Sequence, residues 1–358
     1  MQIKNLKKFF LKKKYKRVLI ISGKKSFKKI SGDKYLKKEL SYDNIKITYF
    51  FKKFKNPEIK ELNLIVHKIK KIKPDLIIAI GGGCVMDYAK SANVLALEKK
   101  SISLNKKYSS RFCNLICIPT TAGTGAEVTP FAVLYINKKK TNVEGNAVKP
   151  NFFFLEPRFI RFNSNYTIAS SGFDSFSQSI ESIISIKANK ESINYAKKSI
   201  KLTLLNFLKY YKFRKEINAK KLLIAANFSG KAISISNTGA PHALSYLFST
   251  HFNLSHGHSV SLNTLKIIKF NYLNQKKNNL LKNRLKILFR SFKCKTYSQF
   301  EKKINHIINS VKLEQNFKKL KIDPKKLLKL KKFVNLKRLK NNIVKINSVD
   351  IENILFKR

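Results

Sequence analysis

Four of the six histidines, His242, His251, His256 and His258, fall within 17 residues. The stretch around them, residues 222 to 262, holds one formally charged residue, Lys231, and no acid. A single imidazole in an apolar stretch is ordinarily a satisfied core residue. Four together, with a carboxylate brought in from elsewhere, have the make-up of a divalent metal site. An acid in a suitable setting occurs in Gly172-Phe173-Asp174-Ser175-Phe176-Ser177-Gln178-Ser179-Ile180-Glu181. There Asp174 and Gln178 are four apart, so on a helix both project from one face into the same space.

A second chemistry, the holding of phosphate and ribose, is written in the glycines. Gly81-Gly82-Gly83 follows an apolar run directly and precedes a helix expected from about Val85. Bare backbone and the free N–H groups of a helix start favour an anion there, although an ordinary strand-to-helix turn would look similar. Pro119-Thr120-Thr121-Ala122-Gly123-Thr124-Gly125-Ala126-Glu127 interleaves hydroxyls with glycines in one loop, as contacts to phosphate and ribose require. Gly23-Lys24-Lys25-Ser26, at the end of the first apolar run, is a turn that could open a helix.

The elements that must carry these turns alternate along the first part of the chain. Arg17 to Ser22, Ile45 to Phe51, Leu76 to Ile80 and Leu115 to Ile118 read as strands, and Glu58 to Ile72 has apolar residues at helical spacing. Short apolar strands separated by helices predict a parallel sheet covered on both faces. Beyond about Arg161 the spacing is helical: Ile168 to Ile184, Lys190 to Tyr210, Ala219 to Ile235, Val260 to Phe270 and Leu280 to Phe289. The expected architecture is an α/β, Rossmann-like domain over residues 1–162 and an all-α domain over residues 163–358.

Composition narrows the function classes. The 358 residues include 75 Lys+Arg against 20 Asp+Glu, a net charge of +55, yet 43% are hydrophobic, which excludes wholesale disorder. No apolar run approaches the ~20 residues of a membrane span, and the basic amino terminus is too interrupted for a secretory signal. Four cysteines without a CxxC pair predict a reduced, cytoplasmic compartment. The charge invites a nucleic-acid partner. Its distribution argues against one: residues 263–358 carry 27 Lys+Arg and 5 Asp+Glu, whereas the histidine-bearing stretch is nearly neutral. Inflated Lys, Asn, Ile and Phe with no Trp fit codon bias better.

Taken in order, these motifs resemble the iron-dependent alcohol dehydrogenase family. Its GGGS-x-x-D-x-AK loop matches Gly81 to Lys90, with Cys84 in place of Ser, and its PTTAGTGSE loop matches Pro119 to Glu127, with Ala126 in place of Ser. Its G-x-D-A-x-x-H-A-x-E helix matches Gly172 to Glu181, its H-x-x-x-H…PHG segment matches His242 to Gly257, and its closing segment matches Asn341 to Leu355. The resemblance covers essentially the whole chain and implies the dehydroquinate synthase-like fold. It also implies a nicotinamide dinucleotide between the two domains and a divalent metal, Fe²⁺ or Zn²⁺, on the helical one. The metal ligands carried over are Asp174, Gln178, His242 and His256. Gln178 stands where the family has a histidine, and an amide oxygen is the weaker ligand.

The resemblance implies cofactor contacts too. Gly82, Gly83, Thr120, Thr121 and Thr124 would hold the pyrophosphate and nicotinamide ribose, Asp87 would meet the nicotinamide side, and Lys140 would contact a ribose. At Gly23, Lys24 and Ser26 there are cations and no acid, which suits a 2′-phosphate, so NADP is expected over NAD. A proton for the developing alkoxide is expected from His258 or a water relay, with Tyr246 and His251 behind it. Gln178, Tyr246, His258, the Ser-Gly-Lys-Lys-Ser-Phe turn and Ser170-Ser171-Gly172 together resemble the phosphonoacetaldehyde reductase branch. The expected activity is reduction of a small, anionic aldehyde by a homodimer. A general short-chain alcohol or lactaldehyde-type reductase is the alternative, and a degenerate, non-catalytic basic protein binding nucleic acid is the alternative from another class.

Overall fold

The structure is a computed structural model and describes residues 1–40, 45–98, 107–137, 139–276, 278–334 and 336–356. Two compact units make up the chain: Met1–Thr121 with Gly125–Phe162, and Ala122–Thr124 with the residues from Asn163 onward.

The first unit runs α1 (Leu6–Lys13), β1 (Arg17–Gly23), α2 (Lys24–Lys29), α3 (Gly32–Glu39), β2 (Lys46–Lys52), α4 (Ile59–Ile72), β3 (Leu76–Gly81) and α5 (Gly83–Leu95). It continues with β4 (Asn114–Pro119), β5 (Phe131–Ile136), β6 (Lys139–Glu144) and β7 (Phe152–Phe153). Five strands form a sheet in the order β2-β1-β3-β4-β7, every pairing parallel. The apolar runs are continuous because each strand feeds two cores. Leu19, Ile21, Ile77, Ala79 and Leu115 pack against α4 and α5, while Val18, Ile20, Ile78, Ile80 and Ile116 pack on the side of α1, α2 and α3. The expected parallel sheet covered on both faces is what forms.

Register brings the turns together. Gly23 pairs with Lys52, and Gly81 pairs with Pro119, so the segments leaving β1, β2, β3 and β4 all emerge at one carboxyl edge. Three strands, β5, β6 and the two-residue β7, were not among those expected. β5 and β6 form an antiparallel hairpin, whose second strand, Lys-Lys-Thr-Asn-Val-Glu, has too few apolar residues to read as β. One buried lysine holds this hairpin to α5. Lys90 Nζ donates to Ala126 O at 3.0 Å, Thr129 Oγ1 at 2.8 Å and Phe131 O at 2.5 Å. Burial lowers its pKa, opposed by Asp87. All three ammonium protons are therefore spent on fixing the segment that follows the threonine-glycine loop.

The second unit is helical: α6 (Asn165–Ile184), α7 (Lys190–Phe213), α8 (Glu216–Ser236), α9 (Ala240–His251) and α10 (His256–Leu273), then α11 (Asn279–Ser291), α12 (Tyr297–Ser310), α13 (Pro324–Lys329), α14 (Leu336–Leu339) and α15 (Ser348–Phe356). Its axis is α6, capped by Ser164 through Thr167 N and buried along nearly its whole length from Ile168. Close neighbours explain its small residues. A Cβ at Gly172 would lie 2.3 Å from the Phe207 ring of α7. Ser175 and Ser177 hydrogen-bond Ser229 of α8 and Thr264 of α10. Among the described residues no helix is long and apolar enough to cross a membrane.

Replacing Lys90 by Met should lower the unfolding free energy by about 3 kcal/mol or more, because three buried acceptors lose their donor. Urea denaturation measures this; an unchanged midpoint would show that the ammonium contributes nothing to the hairpin's attachment.

Candidate functional site

The site begins with how α6, α9 and α10 meet. Asp174 lies two and a half turns into α6, buried. His242 sits on the first turn of α9, opened by Gly239 with Pro241 at an early position that needs no backbone donor. His256 is the first residue of α10. α10 can start there only because its second residue is glycine. A Cβ on Gly257 would lie 1.9 Å from Ser170 O and 2.9 Å from Asp174 Cβ, so the two backbones are in direct contact. That contact carries His256 to Asp174.

Three donor atoms then converge. His242 Nε2 lies 3.3 Å from Asp174 Oδ1, His256 Nε2 lies 3.8 Å from the same oxygen, and all three ligand atoms fall within 4.8 Å of one another. Tetrahedral coordination with legs of about 2.1 Å separates ligand atoms by about 3.4 Å, so these spacings suit one divalent ion. Two further observations fit. His242 Nε2 is buried and makes no hydrogen bond with the described residues. Its other nitrogen, Nδ1, lies 2.5 Å from Glu181 Oε1, the carboxylate–histidine arrangement that orients a metal-ligating ring. Burial opposes charge on His242, but Glu181 and Asp174 outweigh it and raise its pKa. His256 is 35% exposed, which leaves the cluster an open side.

Gln178 is one turn beyond Asp174 and buried. Its Oε1 accepts from Ser229 Oγ at 2.9 Å, and its Nε2 faces Thr124 O at 3.4 Å. The carbonyl opposite fixes which end of the amide is nitrogen. Gln178 thus ties the tip of the threonine-glycine loop to α6, where a Cβ on Gly123 would meet Ser171 at 2.9 Å. Thr124 presents its carbonyl to Gln178.

The other expected residues separate into groups. In the first unit Thr120 N donates to Gly81 O at 3.0 Å, and Thr121 stands 3.4 Å from the position of a Cβ on Gly82. The two phosphate-type turns therefore lie side by side, with Gly82 capping α5 and Gly83 opening it. Asp87 and Lys140 interact; burial pushes the Asp87 carboxyl up to about 6 against the pull of Lys90 and Lys140. Lys138, two residues before that lysine, lies outside the described residues. Gly23, Lys24 and Ser26 form a local turn, Ser26 Oγ donating to Gly23 O at 3.0 Å.

Of the residues expected to move protons, His258 has another task. Its Nε2 faces Glu314 O at 2.7 Å and its Nδ1 meets Tyr166 OH at 3.1 Å. A carbonyl only accepts, so Nε2 carries the proton and Nδ1 accepts from the phenol. Burial lowers its pKa. The neutral ring pins α10 to α6 and to the segment after α12. His251 lies nine residues after His242, about 13 Å along α9, with its ring against Phe333. The structure does not bring it to the cluster. Tyr246 follows His242 by one turn, buried, with the Arg338 guanidinium 5.5 Å from its ring centre.

Two residues in contact with this machinery were not singled out. Glu181 is seven after Asp174, two helical turns, a spacing that could have flagged it. Lys52 ends β2 opposite Gly23 and reaches both Phe54 O, at 2.7 Å, and the Cys84 thiol beside the glycine turn. Only sheet register reveals it.

Gly257→Ala should separate α10 from α6 and abolish stoichiometric zinc binding measured by equilibrium dialysis. Retention of one equivalent would mean that the close approach at Ser170 does not build the cluster.

Residues 1–157 match the family described as iron-containing alcohol dehydrogenase, and residues 168–358 match the C-terminal part of the Fe-containing alcohol dehydrogenase family. Aldehyde-alcohol dehydrogenase 2 of Entamoeba histolytica is 31% identical over 245 residues, 64% of this chain and 28% of that protein. Phosphonoacetaldehyde reductase of Streptomyces viridochromogenes is 28% identical over 221 residues, 58% of this chain and 56% of that one. The matched stretch thus spans from about a quarter to just over half the length of these relatives. Among solved structures, sulfoacetaldehyde reductase of Bifidobacterium kashiwanohense in complex with NAD⁺ superposes with a TM-score of 0.88 at 22% identity, covering 98% of this chain and 92% of that one. The iron-containing alcohol dehydrogenase of Thermotoga maritima gives 0.80 at 25% identity, covering 95% and 90%. The motifs, the parallel sheet followed by a helical unit, and these matches lead to one conclusion: the chain belongs to the iron-containing alcohol dehydrogenase family.

Proposed function

We propose that the chain is a metal-dependent, NAD(P)-linked aldehyde reductase acting on a small anionic aldehyde of the phosphonoacetaldehyde type. The observation that carries the reading is the convergence of Asp174, His242 and His256 on one point, with Glu181 behind His242. The overall reaction balances as aldehyde plus NAD(P)H plus a proton giving alcohol plus NAD(P)⁺.

A divalent ion, Fe²⁺ or Zn²⁺, bound there supplies Lewis acidity to the carbonyl oxygen, and the nicotinamide supplies the hydride. The chain's own residues do the rest. Asp174, His242 and His256 hold the ion, while Gln178 holds the Thr124 loop tip in place rather than completing the ligand set. Gly82, Gly83, Thr120 and Thr121 offer backbone N–H and hydroxyl groups to phosphate and ribose. Water delivers the proton, since both nitrogens of His258 are engaged.

NADP is the proposed cofactor. The edge formed by Gly23, Lys24 and Lys25 carries no acid to accept a ribose diol, and Lys52 lies across the register from Gly23. The substrate proposal draws on the Streptomyces relative and on Gln178, Tyr246 and His258, through which the sequence resembles the phosphonoacetaldehyde reductase branch. A homodimer in the cytoplasm completes the reading, to which four free thiols are suited.

Purified protein should oxidise NADPH with phosphonoacetaldehyde faster than with simple aldehydes, and only with Fe²⁺ or Zn²⁺ present. No oxidation with any aldehyde, cofactor and metal combination would sink the enzyme reading. His256→Ala should lower kcat/KM about a thousandfold, the several kcal/mol expected of the ion; full activity in that variant after metal stripping would remove the ion from the reaction. Lys52→Ala should raise KM for NADPH about tenfold while leaving NADH within about threefold. An equal rise for both cofactors would place Lys52 away from the 2′-phosphate.

A further inference from the structure

We propose that Glu181 is the positioning residue that makes His242 a ligand, by dictating which ring nitrogen carries the proton. The inference rests on the metal reading above and adds a second residue's task to it. Glu181 is buried on α6, and its two oxygens are assigned to different partners. Oε2 accepts from Gly239 N at 2.7 Å and faces His242 N at 3.5 Å, so it meets the first backbone donors of α9. Oε1 lies 2.5 Å from His242 Nδ1. A carboxylate offers acceptors only, so Nδ1 must donate, and in the neutral ring Nε2 is left with its lone pair aimed at Asp174. One side chain therefore sets both where α9 begins and which tautomer its histidine adopts.

The division of labour makes glutamine a sharp probe. The backbone donors of Gly239 and His242 require an acceptor at the Oε2 position, so the amide nitrogen of Glu181→Gln is forced to the Oε1 position. There it donates to Nδ1, and the ring proton moves to Nε2, where it blocks ligation. Volume and the contact with α9 are kept, so the variant tests the proton rather than the packing.

The experiment has two readouts, neither of them turnover. Competition with a chelating dye should show zinc affinity of Glu181→Gln reduced about 10- to 100-fold, while its circular dichroism and melting temperature in the metal-free state stay near those of the parent. Nitrogen-15 spectra of metal-free protein at alkaline pH should give His242 as the Nδ1–H tautomer in the parent and as Nε2–H in the variant. Zinc affinity unchanged within about twofold, or an Nε2–H tautomer in the parent, would overturn the proposal. The tautomer in the parent decides the matter even if the variant fails to fold. Failure of the parent itself to bind zinc would overturn the metal reading instead, and the tautomer would still report on Glu181.

Discussion

Two buried carboxylates on one helix, Asp174 and Glu181, set the terms for the helical unit. A buried carboxylate is costly unless it is paired or hydrogen-bonded. Glu181 is satisfied by Gly239 N–H and His242 Nδ1–H, and Asp174 lies against His242 and His256, where a bound cation would balance its charge. The demand for partners therefore determines where α9 and α10 must begin. Gly257 permits the close approach, since any side chain there would collide with Ser170 O, and His258 on the next position locks α10 to Tyr166 and Glu314. Metal-ligand geometry and helix packing are two descriptions of one arrangement.

The first unit solves a different problem, that of aligning several turns on one edge. Parallel pairing in register does this without any dedicated contact: Gly81 opposite Pro119 places the glycine turn beside the threonine loop, and Gly23 opposite Lys52 places two cationic strand ends together. Lys90 then fixes the segment leaving the threonine loop, with every ammonium proton used. The threonine loop itself is shared, Thr120 and Thr121 lying with the first unit and Ala122–Thr124 with the second, where Gly123 rests on α6.

What could be read from the chain follows from how local each signal is. The central strands and the long helices α6, α7, α8 and α10 announce themselves because their apolar periodicity is contained within each segment. α9 does not, since Ala240 to Phe248 is buried on every side and has no polar face to define a period. β6 hides for the opposite reason, its apolar positions being diluted by lysine and asparagine. Asp174, His242 and His256 were legible as chemistry through residue type and motif order. The engagement of His258 was not, because its partners lie 56 and 92 residues away in sequence. Nor was the placement of Lys52 opposite Gly23, which depends on strand register alone.

The central claim is that one ion is held by Asp174, His242 and His256. Anomalous diffraction at the zinc edge, on crystals of the zinc-loaded protein, tests it most directly. The expected result is a single peak about 2.0 to 2.2 Å from a carboxylate oxygen of Asp174 and from Nε2 of both histidines, with Glu181 still on Nδ1 of His242. A peak bound elsewhere, or none at this cluster, would contradict it.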